Sequence, residues 1–538
     1  MTPRRGGSLA GLAAALLLGC AAGACGIAPH PRAAGRPAPP PNQNWPFPGQ
    51  GPRDRHDAPV AALDVATASS LRTVFTDTLG PVGTPQEASP LESGGVLYLD
   101  ATGDRAYAFG ATSGAPIWTY DPGPLHPPSW APEISRGVGL GPHAVYLLTA
   151  DDRLIALDRA TGRALYRVTV AQPSQAYFES MAPLYAGGAV VVGSSGGDEG
   201  ARGFIAAYDA ATGGRLWRFF TVPAPGQGWV PATGHHGGGV VWTTPAYDPA
   251  SGRIFFGTGN PSPDYYGVMR PGPDPHTDSV LSMTLQGGVM RWAAQEVPHD
   301  LWDYDAASPP VLFHVGSRLT VGAAGKDGYW YEWVAATGAP VVPPVAFVRE
   351  QHSPPTATGT EEWPGPDGGA NYGPTSYDPA LHLAFVAGIN GPEILYGAPQ
   401  PHAQNTLDLG TGQAGVPGAT WTGTITAVDV RDGKVAWQHA TASPPIGGSC
   451  VTSGGVVLFG QEDGQLEALD AATGAVLWRK SLGAPIGSAP IVYERSGVVY
   501  VAVVTGGAAS LQGLFPSRAP GRLVVLALPG RAAPATAS

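Results

Sequence analysis

The eight residues Pro298-His299-Asp300-Leu301-Trp302-Asp303-Tyr304-Asp305 hold three carboxylates and two large aromatics. Only 13% of the chain is charged, so this acidic density is not background. Asp303 and Asp305 stand two apart, and on an extended segment that spacing points both side chains to one side. Two carboxylates converging on one point repel unless a cation or a shared proton lies between them, and oxygen donors select a hard cation. The alternative is a turn whose Asp side chains cap backbone amides, which is common for this residue type. On these eight residues alone both readings stay open.

A site of that kind needs a scaffold. The chain has 538 residues, with 77 Gly and 57 Pro and many Val, Thr, Tyr and Trp, which suits short strands joined by many turns in one large closed β structure. The formal net charge is -11 without any basic run, which argues against nucleic-acid binding. Arg4 and Arg5 precede an apolar stretch over 9–18 that is too short to span a bilayer and is followed by small residues, as in a cleaved signal peptide. Leu17-Leu18-Gly19-Cys20 resembles a lipoprotein signal, which would make Cys20 the lipidated first residue of an exported protein held at the cell surface or on the periplasmic side. Cys25 is a second candidate, and a plain secretory signal is the simpler alternative. A single acyl chain holds a membrane only marginally, so the N-terminal lipid, the sole expected membrane contact, needs more than one chain. Cys450 is the remaining cysteine and reads as an inert buried thiol on a strand. The sequence contains no Cys-x-x-Cys-His and so no c-type haem attachment.

A motif of the form Ala-x-Asp-x-x-Thr-Gly-x-x-x-Trp recurs with decay. It is complete at Ala207 to Trp217 and Ala468 to Trp478, differs only by Asp432 at Ala427 to Trp437, and only by its terminal Tyr at Ala156 to Tyr166. Weaker copies lie at Ala108 to Trp118, Ser282 to Trp292 and around Ala336-Thr337-Gly338. The repeat glycines are 114, 162, 213, 288, 338, 433 and 474, so the successive differences are 48, 51, 75, 50, 95 and 41. The short spacings suit one four-stranded sheet each. Gly accepts the positive φ of a tight turn, and the terminal Trp is large enough to pack across to the neighbouring sheet. Sheets packed in a ring leave no open edge, so the expected fold is all-β, an eight-bladed β-propeller. Seven copies and the motif-poor segment from Pro485 to Leu528 make the eight sheets, with Asn44-Trp45-Pro46 and Leu71 to Thr76 supplying a closing strand. The expected layout is a signal peptide over 1–26, a Pro-rich tether over 27–58, one propeller over 59–530 and a disordered tail over 531–538.

With these repeats in place, the sequence resembles the pyrroloquinoline quinone (PQQ) dependent alcohol dehydrogenases along nearly its whole mature length. Non-catalytic propellers such as the outer-membrane assembly lipoproteins share the repeat, whereas the loop motifs are more specific. Gly257-Thr258-Gly259-Asn260-Pro261 resembles the family segment whose Asn is a metal ligand, and Trp302-Asp303-Tyr304 the segment whose Asp is the catalytic base. Trp242 fits the tryptophan that floors the quinone, and Lys326 in Gly325-Lys326-Asp327-Gly328 the cation beside the quinone oxygens. Glu87, in Gln86-Glu87-Ala88-Ser89-Pro90, matches a cofactor contact, and Arg136, Ser180, Ser195 and Asn390 stand where the family has polar contacts to PQQ. Two departures are visible. In Ser194-Ser195-Gly196-Gly197-Asp198-Glu199-Gly200, Asp198 occupies the position of a family Glu metal ligand, one methylene shorter. Trp130 and Ala131 stand where many members have adjacent cysteines above the quinone. The acid at Asp305 resembles the lanthanide-dependent branch.

The resemblance implies a dehydrogenase that oxidises an alcohol, small or polymeric, to an aldehyde or ketone. PQQ and Ca²⁺ or a lanthanide ion would be its cofactors, with the metal held by Asp198, Asn260, Asp303 and Asp305. Asp303 would take the hydroxyl proton and Lys326 would stabilise charge on the quinone oxygens. Electrons would leave to a separate acceptor, a cytochrome c or a quinone. The alternative reading is a surface propeller that binds a protein or a polymer without catalysis.

Overall fold

The Asp-x-x-Thr-Gly motif folds the same way from copy to copy. The Asp209 carboxylate accepts hydrogen bonds from the amides of Ala211 and Thr212 and from the Thr212 hydroxyl, and Asp158 holds Thr161 likewise. The chain then reverses through the glycine, and all seven repeat glycines have φ between 60° and 73°. A computed structural model of the chain describes residues 42–80, 85–132, 134–230, 237–507, 511 and 517–530. The expected signal peptide with Cys20 and Cys25, the first part of the expected tether and the expected tail lie outside them.

Among the described residues the strands form eight four-stranded antiparallel sheets, one of them extended by the parallel strand Asp57–Ala58, and a ninth sheet of three strands. Helical structure among the described residues is confined to four single 3₁₀ turns. The last of the eight sheets joins the two ends of the chain: Arg72–Thr78 pairs with Ala519–Ala527, beside Val498–Gly507 and Ile491–Arg495. The closing strand expected around Leu71 to Thr76 is therefore present. Trp45 does not join it; it bridges to Glu92 in the first sheet and is fully buried. The expected tether over 27–58 is corrected in its last part, because Trp45, Asp54, His56 and Ala58 are buried and Asp57–Ala58 pairs with Val451 and Thr452. Pro and Gly there shape a packed irregular segment, which composition alone does not distinguish from a linker.

Most neighbouring sheets are locked together by an aromatic side chain docked on a repeat glycine. Trp118 covers Gly162, Trp217 covers Gly288, Trp292 covers Gly338 and Trp437 covers Gly474, so closely that a Cβ on any of these glycines would stand under 3 Å from the indole. The indole N–H groups donate to the carbonyls of Arg159, Leu285, Ala335 and Ala471. Tyr166 takes the same place on Gly213, and Phe75, from the N-terminal strand of the last sheet, on Gly114 of the first. Each contact joins one sheet to the next. This is a β-propeller, with Val, Leu, Ile and Phe of facing sheets filling the core between them.

Gly288→Ala must place a Cβ 2.6 Å from Trp217 at φ 60°, whereas Gly287→Ala meets only Val289, at 4.0 Å. Chemical denaturation should show a loss of about 2 to 4 kcal/mol for the first and about 1 kcal/mol for the second. Equal losses would show that the docking contact carries no stability of its own.

Candidate active site

The loops at one end of the sheets surround a cavity of about 370 Å³. The turn Gly197–Glu199 presents Asp198 to it, and the flanking Gly196 and Gly200 have φ of 91° and 100°, which favour glycine. A Cβ on Gly196 would also collide with the Ala176 carbonyl at 1.9 Å. Asn260 follows the strand Arg253–Gly257, and its amide N–H donates to the Asp305 carboxylate at 2.7 Å. Ala306 N–H donates to Thr258 O at 3.1 Å, which ties the Asn260 loop to the acidic stretch. Within that stretch Asp300 caps the amides of Trp302 and Tyr304, at 3.1 and 3.0 Å. The turn so formed holds Asp303 at φ 62°, a left-handed conformation that Asp tolerates better than most residues.

Nine of the eleven site residues expected from the sequence line this cavity: Arg136, Ser180, Ser195, Asp198, Trp242, Asn260, Asp303, Asp305 and Lys326. Glu87 stands one contact behind, its carboxylate 2.9 Å from Arg136 Nη2. Asn390 is elsewhere: its side-chain oxygen accepts from the amide of exposed Arg349 at 3.0 Å, and it does not line the cavity. Asn390 ends the strand Leu383–Asn390, whose pairing with Thr422 sets its position.

Lys326 Nζ lies between the two acids, 2.9 Å from Asp303 Oδ1 and 2.6 Å from Asp305 Oδ2. Burial alone would lower the ammonium pKa, but these two carboxylates outweigh it and raise it. Burial, together with the charges of Asp305 and Asp198, raises the Asp303 carboxyl well above its usual range, against the opposing pull of Lys326. Asp198 is pushed up to about 6 and Glu199 to about 8, in both cases by burial first. Arg136 donates to Ser180 Oγ at 2.7 Å, and Ser180 and Ser195 share a hydrogen bond of 3.0 Å. The Arg136 guanidinium lies 4.5 Å from the Trp242 ring centroid and 4.9 Å from that of Tyr372. Trp130, where adjacent cysteines would stand, packs edge-on against Phe178 at the cavity wall.

The glucose/ethanol/alcohol dehydrogenase β-propeller domain model matches residues 45–348, and an outer membrane protein assembly factor BamB model matches residues 422–514. Quinohemoprotein alcohol dehydrogenase ADH IIB of Pseudomonas putida is 32% identical over 83% of this chain and 72% of its own. This chain belongs to the PQQ-dependent alcohol dehydrogenase family. Quinoprotein alcohol dehydrogenase PedH of P. putida is 29% identical over 85% of each chain. The solved quinohemoprotein alcohol dehydrogenase of Comamonas testosteroni superposes with a TM-score of 0.83 at 27% identity, covering 92% of this chain and 82% of its own.

The residues present fit the cofactors of a PQQ-dependent alcohol dehydrogenase. Three carboxylates, Asp198, Asp303 and Asp305, against one ammonium, Lys326, leave two negative charges beside the Asn260 amide, a donor set of hard oxygens. Among the described residues no three His, Cys, Asp or Glu side chains are placed to hold a metal ion by themselves; the donor set here includes the Asn260 amide, and Lys326 Nζ lies between two of its acids. Arg136, Lys326, two hydroxyls and an indole face suit a flat anion.

Sequence reasoning does not find Arg270, which is fully buried and donates to the carbonyls of Pro263, Asp264 and Asp300 and to the Asp274 carboxylate. It thereby joins the loop after Asn260 to the acidic stretch. Asp264 is also missed: both its carboxylate oxygens are buried without a partner, and burial plus the charges of Asp198 and Asp303 raises its pKa well above normal. Asp367 completes the acidic wall and is pushed up to about 6 by burial. Their only sequence signal is acid placed near Gly and Pro in long loops.

Burial raises carboxyls beyond the cavity as well, Asp100 and Asp327 to about 7 and Asp152, Glu362 and Glu393 to about 8. Their folded pKa lies above the unfolded one, so the folded chain holds more protons between about pH 4 and pH 8, and stability falls as pH rises through that window. The metal-free protein should melt lower at pH 8 than at pH 5.5, measured by thermal scanning in chelator. A flat or rising profile would mean that these groups ionise as freely as in the unfolded chain.

Proposed function

We propose that this protein is a PQQ- and metal-dependent dehydrogenase that oxidises an alcohol to an aldehyde or ketone and passes the electrons to a separate acceptor, on a propeller of eight blades. The observation that carries the activity is the meeting in one cavity of a buried acid–lysine pair, Asp303 and Lys326, with a metal-type oxygen donor set and an indole face. The blade count rests on a central cavity lined by a residue two positions before the innermost strand of each four-stranded sheet, from Ser89 in the first to Ala489 in the last. The domain model that covers the site-bearing loops is the dehydrogenase one, and the assembly-factor model matches only residues 422–514, which hold none of the site residues.

Arg136, Ser180, Ser195, Trp242 and Lys326 would hold PQQ, with Glu87 fixing Arg136 in place. Asp198, Asn260, Asp303 and Asp305 would hold Ca²⁺ or a lanthanide ion, and the third carboxylate favours the trivalent ion by charge. Bound there, the quinone would supply a two-electron sink and the metal would act on it as a Lewis acid. Asp303 acts as general base: its carboxylate takes the proton of the substrate hydroxyl while the left-handed turn keeps it aimed at the cavity. Lys326, a permanent cation beside it, offsets negative charge that develops during oxidation. Trp130 and Phe178 form the apolar wall that excludes water where a disulfide would stand. Asn390 receives no role. Export rests on the N-terminal sequence, and the lipid at Cys20 on its lipoprotein-like signal.

Dye-linked activity of the purified mature protein, reconstituted with PQQ and Ca²⁺ or La³⁺ over an alcohol panel, tests the assignment. Asp303→Asn should lower kcat by about 10² to 10⁴, while Asn390→Ala leaves it unchanged. The preferred ion reports the role of Asp305. Failure to retain quinone absorbance with either ion would falsify the dehydrogenase reading.

A further inference from the structure

Asp198 sits one methylene short of the family's Glu, so its turn must be placed more accurately for the carboxylate to serve. A segment remote in sequence does this. Residues 398–411 run from the strand Glu393–Gly397 into the first residue of the strand Thr411–Gly415, two strands of the small three-stranded sheet. Within this connection the Asp408 N–H donates to Asp198 O at 2.8 Å and the Asn405 N–H to Glu199 O at 3.0 Å. The Gln404 side-chain amide donates to Gly200 O at 3.3 Å. Three consecutive carbonyls of the Asp198 turn therefore each accept from the same strap.

The other side of the strap grips the loop that runs on from Asn260. Leu409 O accepts from the Tyr265 N–H at 2.7 Å, and Gly410 lies so close to Tyr266 that a Cβ there would be 2.7 Å from the tyrosine Cβ. The strap is braced internally: Gln400 donates to Leu407 O at 2.8 Å, and His402 Nδ1 lies 3.3 Å from the Asp408 carboxylate. No residue of 398–411 lines the cavity. The segment touches the backbone of two site loops and none of the space between them.

We propose that residues 398–411 are a positioning clamp that holds the Asp198 turn and the Asn260 loop at a set separation, so that the shorter Asp198 carboxylate reaches the metal. This rests on the metal-dependent reading above. The last turn of a short 3₁₀ segment leaves its carbonyls without internal partners, and fixing them from outside removes the freedom of the turn to rotate. A Glu at 198 would have a further rotatable bond and could follow a displaced turn; an Asp cannot. The clamp thus matters more for this chain than it would for one carrying Glu.

The test measures metal binding without turnover: terbium titration of the metal-free, full mature protein, read by tryptophan-sensitised luminescence. Replacing 402–408 by a Gly-Ser segment of equal length should weaken terbium binding by about tenfold or more, the usual scale for groups that orient metal ligands. In the Asp198→Glu background the same replacement should cost less than about threefold. Gln404→Ala, which removes one exposed amide, is the milder variant should the replacement fail to fold, and its smaller loss should show the same dependence on residue 198. Wild-type protein that binds no terbium overturns the metal reading and the clamp together. Wild-type binding with no loss in the folded strap variants overturns the clamp alone. An equal loss in both backgrounds also overturns it, because a merely structural strap would not distinguish Asp from Glu.

Discussion

The structure depends on holding carboxylates together where water cannot solvate them. Asp198, Asp303, Asp305 and Asp367 line one cavity with Asp264 close behind, and the cations nearby are Lys326, shared by two acids, Arg136, paired with Glu87, and Arg270, which faces Asp274 and a row of carbonyls. Like charges this close cannot all ionise in a low-dielectric setting without a counter-charge, which is why burial pushes so many of them upward. Such an arrangement persists only if the frame resists its repulsion. The docking of aromatics on Gly from sheet to sheet supplies that frame, because it keeps the loop ends at fixed distances while the loops themselves carry little regular structure beyond one small sheet and short 3₁₀ turns.

That division explains what was legible in the sequence. The repeats could be read because turn and docking contact are encoded within eleven residues: an Asp that caps the turn, a Gly at positive φ and an aromatic four positions on. The sheet that joins the chain ends was legible because Leu71 to Thr76 and the C-terminal strands have strand composition without a motif. The N-terminal segment misled, since Pro and Gly serve equally in linkers and in packed irregular chain, and only the buried Trp45 distinguishes the two.

The site divides in the same manner. Side chains that would touch a cofactor or metal could be placed because motif residues are local, and nine of them meet in one cavity. Asn390 could not, since its position depends on the register of a strand pairing and not on neighbouring residues. Arg270 and the strap act by holding backbone carbonyls, a function for which no residue type is diagnostic, so neither has a sequence signature.

One feature of the sequence nevertheless pointed to them. A four-stranded sheet with its turns uses about the 41 to 51 residues seen between most repeat glycines, and the spacings of 75 and 95 exceed it. Surplus chain cannot enter a sheet whose strands are already paired, and it cannot lie between sheets whose faces are filled by docked aromatics, so it must leave at the ring face. The longer spacings, Gly213 to Gly288 and Gly338 to Gly433, contain Trp242, Asn260, Asp264 and Arg270 in the first and Asp367 and the strap in the second. In this repeat fold the departures from the period therefore locate the residues that brace the site, Arg270 and the strap, whereas most of the cavity-lining residues, Asp198, Asp303 and Lys326 among them, lie within ordinary spacings. The two insertions also meet each other, through Leu409 and Tyr265, which is how chain from one sheet can set the geometry of ligands presented by others.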